Sequence, residues 1–232
     1  MRTRFIGQAA AGAIGAMLLI SGAALAGGEA AGQHDHKHAH SHEHAHDHDH
    51  GNDAAAAIRK GHFDDSEIQD RTLSDWEGDW QSVYPYLVDG TLDPVMAHKA
   101  EHGDKTAAEY RDYYEAGYRT DVDRIVIKGD RIEFYRSGAS VSARYVSDGR
   151  ETLTYKAGNR GVRYAFRKAD GDTAAPAFIQ FSDHAIAPEK AGHYHLYWGD
   201  DRKALLAEVT HWPTYYPTAM SGQQIQSEMM AH

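Results

Sequence analysis

Two groups of histidines carry the chemistry legible in this chain. The first lies in residues 178–198, where His184 ends one apolar run and His193 and His195 open the next. Pro188 and Gly192 mark a loop between the runs. Residues two apart in a strand share a face, with Cβ atoms about 7 Å apart along the chain. Two strands joined as a hairpin would set His184 across from that pair, with Cβ atoms about 5 Å apart. An imidazole nitrogen binds zinc at about 2 Å, so three such rings can converge on one ion. Three neutral nitrogens suit Zn2+, and also Cu2+, Ni2+ or Co2+, with Cd2+ as a zinc mimic. They leave a fourth position for water, a carboxylate or an incoming ligand. His184, His193 and His195 are therefore the expected metal ligands. The plainer reading is a set of strand histidines satisfied by hydrogen bonds, and a His-x-His pair alone does not displace it. The third histidine, placed across a turn, brings the two readings level, and the histidine-rich zone and export signal described below favour metal.

The second group is nine histidines in strict alternation, from His34 to His50. The interleaved residues are charged or small, such as Asp35, Lys37, Ala39 and Glu43. Such a stretch cannot bury a core, so disorder without metal is expected. Its histidines can chelate weakly and feed ions to a fixed site at high local concentration. An expression tag would show the same residue type, but tags are usually uninterrupted. His98 and His102, spaced i, i+4 on an expected helix, could also chelate. A solvated helix face explains them as well and is the preferred reading. His62, His211 and His232 read as structural or surface residues.

Three zones must position these groups. Arg2, Arg4, an apolar run and Ala24-Leu25-Ala26 have the layout of a cleaved secretory signal, residues 1–26. The histidine-rich zone spans 27–57, and a globular domain spans 58–232. No cysteine follows the expected cleavage point, so no lipid anchor is expected there, and no later run is apolar enough to span a bilayer. Loss of Arg2 and Arg4 leaves 22 basic against 34 acidic side chains, a net charge of −12. That balance argues against nucleic acid and anionic membrane surfaces. Stability must come from the packed core, and from metal, because the chain has no cysteine.

Within the domain, helices are expected at 93–101, 106–116 and 202–210 and after Ser221. Short strands are expected at 122–127, 132–135, 141–146, 152–155, 162–166, 177–181 and 193–198, divided by Gly- and Asp-rich turns. Asp148-Gly149 is the strongest hairpin signal, because type I′ turns need positive φ. Many short antiparallel strands mean a mainly β fold, a barrel or a sandwich, with added helices.

Several motifs then go further. Residues 71–76 (Arg-Thr-Leu-Ser-Asp-Trp), 80–85 (Trp-Gln-Ser-Val-Tyr-Pro), 181–184 (Phe-Ser-Asp-His), 193–195 (His-Tyr-His) and 212–217 (Trp-Pro-Thr-Tyr-Tyr-Pro) resemble the ZinT (YodA) family of bacterial periplasmic zinc- and cadmium-binding proteins. The resemblance runs from about Phe63 to His232. It implies a calycin, lipocalin-like antiparallel β-barrel with added helices, in which Gly78-Asp79-Trp80 supplies the Gly-x-Trp of the first strand. It places the family's metal histidines on His184, His193 and His195. It also implies a role in zinc homeostasis beside the solute-binding component of a zinc ABC importer. Family members can carry a cysteine pair in the barrel, which this chain lacks.

The function expected is a monomeric periplasmic zinc scavenger and chaperone, not an enzyme. Two rivals stand beside it. A metalloenzyme could use an open three-histidine site to activate water, but no triad, nucleophile elbow or phosphate loop accompanies it, and Asp183 and Glu189 have no recognisable catalytic spacing. A carrier could hold an apolar ligand in the barrel, with Tyr194, Tyr197 and Trp198 as lining.

Overall fold

The computed structural model describes residues 50–231. The expected export signal, all but the last of the alternating histidines, and His232 lie outside the described residues. The first element is a helix, α1 (His50–Arg59), which crosses the boundary expected at residue 57. Four successive alanines at 54–57 favour helix, and Ile58 packs against the core. Regular structure therefore begins earlier than the polar composition suggests.

Eight strands follow: β1 (Gly78–Ser82), β2 (Arg124–Lys128), β3 (Arg131–Arg136), β4 (Ala139–Thr154), β5 (Arg160–Gly171), β6 (Phe178–Ser182), β7 (Tyr194–Gly199) and β8 (Thr214–Pro217). Each pairs antiparallel with the next, and β8 pairs with β1. The barrel is closed, so no sheet edge is left open to another chain. This is the antiparallel barrel that the family resemblance implied; strand spacing and turns alone left barrel and sandwich open.

Strand alternation decides what fills it. Trp80, Ile125, Phe134, Tyr164, Phe181 and Tyr194 come from six different strands and are each at most 2 % exposed. Aromatic rings meet directly within this core. Trp76 stacks on Phe181 at 4.6 Å, and Tyr194 meets Trp80 edge-on at 4.7 Å and Phe181 at 5.1 Å. Tyr194 belongs to this core and Trp198 packs against it. Tyr197 lies on the other face of β7, under the Arg163 guanidinium at 3.3 Å. The rings offered as lining for an apolar ligand are thus packing partners.

A helical layer covers part of the outer wall. It comprises α2 (Tyr84–Val88), α3 (Asp93–His102), α4 (Ala107–Tyr118) and α6 (Gly222–Ala231), while α5 (Arg202–Ala207) joins β7 to β8. Leu87, Val95, Met96, Tyr118 and Ile225 form a second apolar cluster with Tyr216 of β8. A capping box starts α4. The Glu109 N–H donates to the Thr106 hydroxyl at 3.3 Å, and the Thr106 N–H donates to the Glu109 carboxylate at 2.9 Å.

One expectation fails in an instructive way. Asp148-Gly149 does not turn a hairpin, and residues 152–155 are not a separate strand. β4 runs straight through, with a shift of register between Ser147 and Arg150. Gly149 has φ 86°. A β-bulge of the glycine type and a type I′ turn both use positive φ, so the same dipeptide serves either. Gly149→Ala should destabilise the fold by about 1–2 kcal/mol in urea unfolding, and Gly149→Asn by less, because Asn tolerates the left-handed region. Equal costs would show that backbone conformation is not what selects glycine there.

Candidate metal centre

The strands β6 and β7 pair with Ser182 opposite His195. Continued by two residues, that register sets His184 opposite His193, the arrangement the hairpin expectation required. The ladder itself stops at Ser182, however, and His184 takes a left-handed φ of 66°. His193 precedes β7 by one residue, and only His195 lies within a strand. The expected site is therefore built at a strand end rather than within the ladder.

Tyr194 and Leu196 face the filled interior. His195 must then face outward, and it pairs with Thr214 of β8. Tyr216, two residues beyond Thr214, joins the helical cluster. The three imidazoles gather on the outer side of the barrel rim. Their ring centroids are 6.0 Å (His184–His193), 5.5 Å (His184–His195) and 6.0 Å (His193–His195) apart. One nitrogen from each lies within 4.8 Å of the other two. Zinc in a tetrahedral site spaces its nitrogens about 3.3 Å apart. Closure by about 1.5 Å or less, within reach of side-chain rotation, would bring all three onto one ion.

Neighbours orient the rings. His195 Nδ1 lies 2.8 Å from the Thr214 hydroxyl, which itself donates to the Trp212 carbonyl at 3.0 Å. A hydroxyl has one hydrogen, so its oxygen accepts from Nδ1–H. That selects one tautomer and leaves the Nε2 lone pair available to a metal. His193 stacks on Tyr216, with centroids 5.0 Å apart and planes at 17°. Its Nδ1 lies 3.6 Å from a carboxylate oxygen of Glu228, on α6. Glu228 had no signal in the sequence, because nothing in a strand or helix period links it to His193.

His184 is positioned through its neighbour. Asp183 accepts from Arg71 at 2.6 Å and from the Trp76 indole at 3.0 Å. Arg71 also donates to Asp75 at 2.8 Å and to the Glu189 carbonyl at 2.9 Å. The Arg71 and Asp183 side chains are 0 % and 3 % exposed. Burial opposes the Arg71 charge, but hydrogen bonds and attraction from Asp183 and Asp75 prevail and hold its pKa above the ordinary value. Both ends of the 183–189 loop are thereby tied to the segment before β1. Asp183 is engaged in this clamp rather than standing as an acid or base beside the histidines.

Burial pushes the His195 pKa well below its ordinary value, assisted by His184, His193 and Arg163. The ring is neutral at neutral pH, the form that binds metal. The unfolded chain takes up a proton near pH 6.5 that the folded chain refuses, so stability is lost as pH falls below about 6.5. Thermal melts with chelator present at about pH 7.5 and 5.5 should show this loss, and His195→Gln should reduce it. An unchanged pH dependence in the variant would assign the loss to other groups.

Known proteins share this architecture. A profile of the family described as ZinT (YodA) periplasmic lipocalin-like zinc-recruitment matches residues 54–232. The "Probable metal-binding protein YrpE" of Bacillus subtilis is 62 % identical over 176 residues, covering 75 % of this chain and 70 % of YrpE. The "Zinc-binding protein AdcA" of Streptococcus pyogenes is 51 % identical over 185 residues, covering 78 % of this chain but only 36 % of AdcA. The crystal structure of the Zn(II)-bound ZinT-like domain of Streptococcus pneumoniae AdcA matches with a TM-score of 0.73 and 48 % identity, covering 75 % of this chain and 97 % of that domain. The family description is one of zinc recruitment and not of an enzyme. The profile spans most of the sequence and the relatives are about half or more identical to it over the aligned regions, so the chain belongs to the ZinT (YodA) family of lipocalin-like zinc-recruitment proteins.

Proposed function

We propose that this chain recruits zinc in the periplasm, holds it on His184, His193 and His195, and passes it to a second zinc-binding component of an importer. The observation that carries this reading is the convergence of three imidazoles, with one nitrogen of each within 4.8 Å of the others. The neutral His195 ring, with its tautomer set by Thr214, supports it. So do the zinc-binding relatives and the Zn(II)-bound domain structure.

The hand-off has its own support. In AdcA, the region similar to this chain is about a third of a longer zinc-binding protein. A unit of this kind is thus joined to further sequence there, and the proposed hand-off from the rim histidines to a second zinc-binding component follows from that pairing. A fourth coordination position, open to a competing ligand, gives such a step its chemistry. The export signal at 1–26 delivers the chain to the periplasm, and the histidine-rich zone at 27–57 captures ions loosely before the rim binds them. Cd2+, Ni2+, Co2+ and Cu2+ share the donor preference and compete for the same nitrogens.

Elemental analysis of the full chain, isolated from cells at native metal levels and dialysed, should find zinc as the principal retained metal. Mixing zinc-loaded chain with the metal-free solute-binding component of a zinc importer, then separating the two, should show zinc on the acceptor. Retention of another metal, or zinc that never moves to the acceptor, would overturn the respective half of the reading.

A further inference from the structure

The last turn of α3 gathers a second set of metal-type side chains, on different residues from the rim histidines. We propose that His98, Glu101 and His102 form a second site for a divalent cation of borderline softness, such as Zn2+, Ni2+ or Cu2+. One ligand atom from each of the three lies within 4.8 Å of the other two. The rings of His98 and His102 have centroids 4.9 Å apart and cross at 74°.

The geometry follows from the helix. Positions i, i+3 and i+4 share one face of α3. Val95 and Met96 anchor the same helix in the second apolar cluster, at 0 % and 2 % exposure. The ligands thus project from a fixed element, which limits what must be ordered on binding. His98 is half-buried, while Glu101 and His102 are exposed, so an ion can reach them. The carbonyl end of a helix carries partial negative charge and favours a cation.

The nearby ammonium groups are engaged elsewhere. Lys99 Nζ sits over the Tyr114 ring, 5.6 Å from its centroid, and Lys105 pairs with Asp104 at 2.8 Å. Two imidazoles and one carboxylate suit zinc, nickel or copper and are too nitrogen-rich for calcium or magnesium. In sequence, the i, i+4 histidine pair reads as a solvated helix face. What the structure adds is the third ligand, Glu101, and the proximity of all three. The site does not depend on the proposed function of the rim.

Side-chain 1H–15N NMR of the full chain during Zn2+ titration tests this, with His98→Gln and His102→Gln supplying the assignments. The ring nitrogens of His98 and His102 should shift together. His98→Gln should abolish the shift of His102, and Glu101→Gln should raise the zinc concentration at half-shift. The shifts should persist when His184, His193 and His195 are all replaced by alanine, so failure of the rim reading would leave this one standing. Unmoved His98 and His102 resonances in zinc excess, or a His102 shift indifferent to His98→Gln, would overturn the proposal.

Discussion

Zinc should raise the melting temperature of the full chain, and replacing His184, His193 and His195 together by alanine should remove that rise. A ligand at about a thousand times its dissociation constant stabilises the folded state by about 4 kcal/mol. For a chain of this size, that is a rise of about 8–16 °C. The melting shift is the right measurement because the alternating histidines at 34–50 complicate any stoichiometry. Ions bound equally by folded and unfolded chains produce no shift. A rim site requires three side chains brought together by folding, so its binding energy appears as folding energy. An equal rise in the triple variant would place the tight site elsewhere.

Arg71→Leu should be the most damaging single substitution in the loop clamp. Its guanidinium bonds Asp183, Asp75 and the Glu189 carbonyl at once, and the Arg71 and Asp183 side chains are themselves buried. Removal leaves Asp183 buried with, among the described residues, the Trp76 indole and a weak backbone N–H as donors. Breaking a buried ion pair this way costs about 3–5 kcal/mol, or roughly 6–20 °C in melting temperature for a chain of this size. Zinc affinity should fall too, because Asp183 fixes His184, the first of the three proposed ligands. Arg71→Lys should lie between the two, since a lysine cannot present the same fork to three acceptors. Parent-like melting and zinc affinity in Arg71→Leu would show that the clamp does not hold the loop.

The residues of the rim were legible because their relation is short in sequence. His193 and His195 share a face by the two-residue period of a strand, and one loop away stands His184. The many-stranded antiparallel character was legible for a similar reason, as alternating apolar runs and Gly-containing turns recur along 120–198, though they left barrel and sandwich open. Asp148-Gly149 shows where local reading stops. The dipeptide reports a demand for positive φ, and only the partner strand β5 decides whether that demand becomes a turn or a bulge.

The amino-acid sequence by itself determined the kind of donor, the spacing of the three imidazoles and the antiparallel, turn-rich character of the fold. Only the tertiary structure decided that the imidazoles face outward from a barrel filled with rings. It alone brought Thr214 to His195, Glu228 to His193 and Arg71 to Asp183. The physical reason is range. A strand's period fixes which neighbours share a face, but which face is covered, and by what, depends on barrel closure and helix packing between residues far apart in the chain.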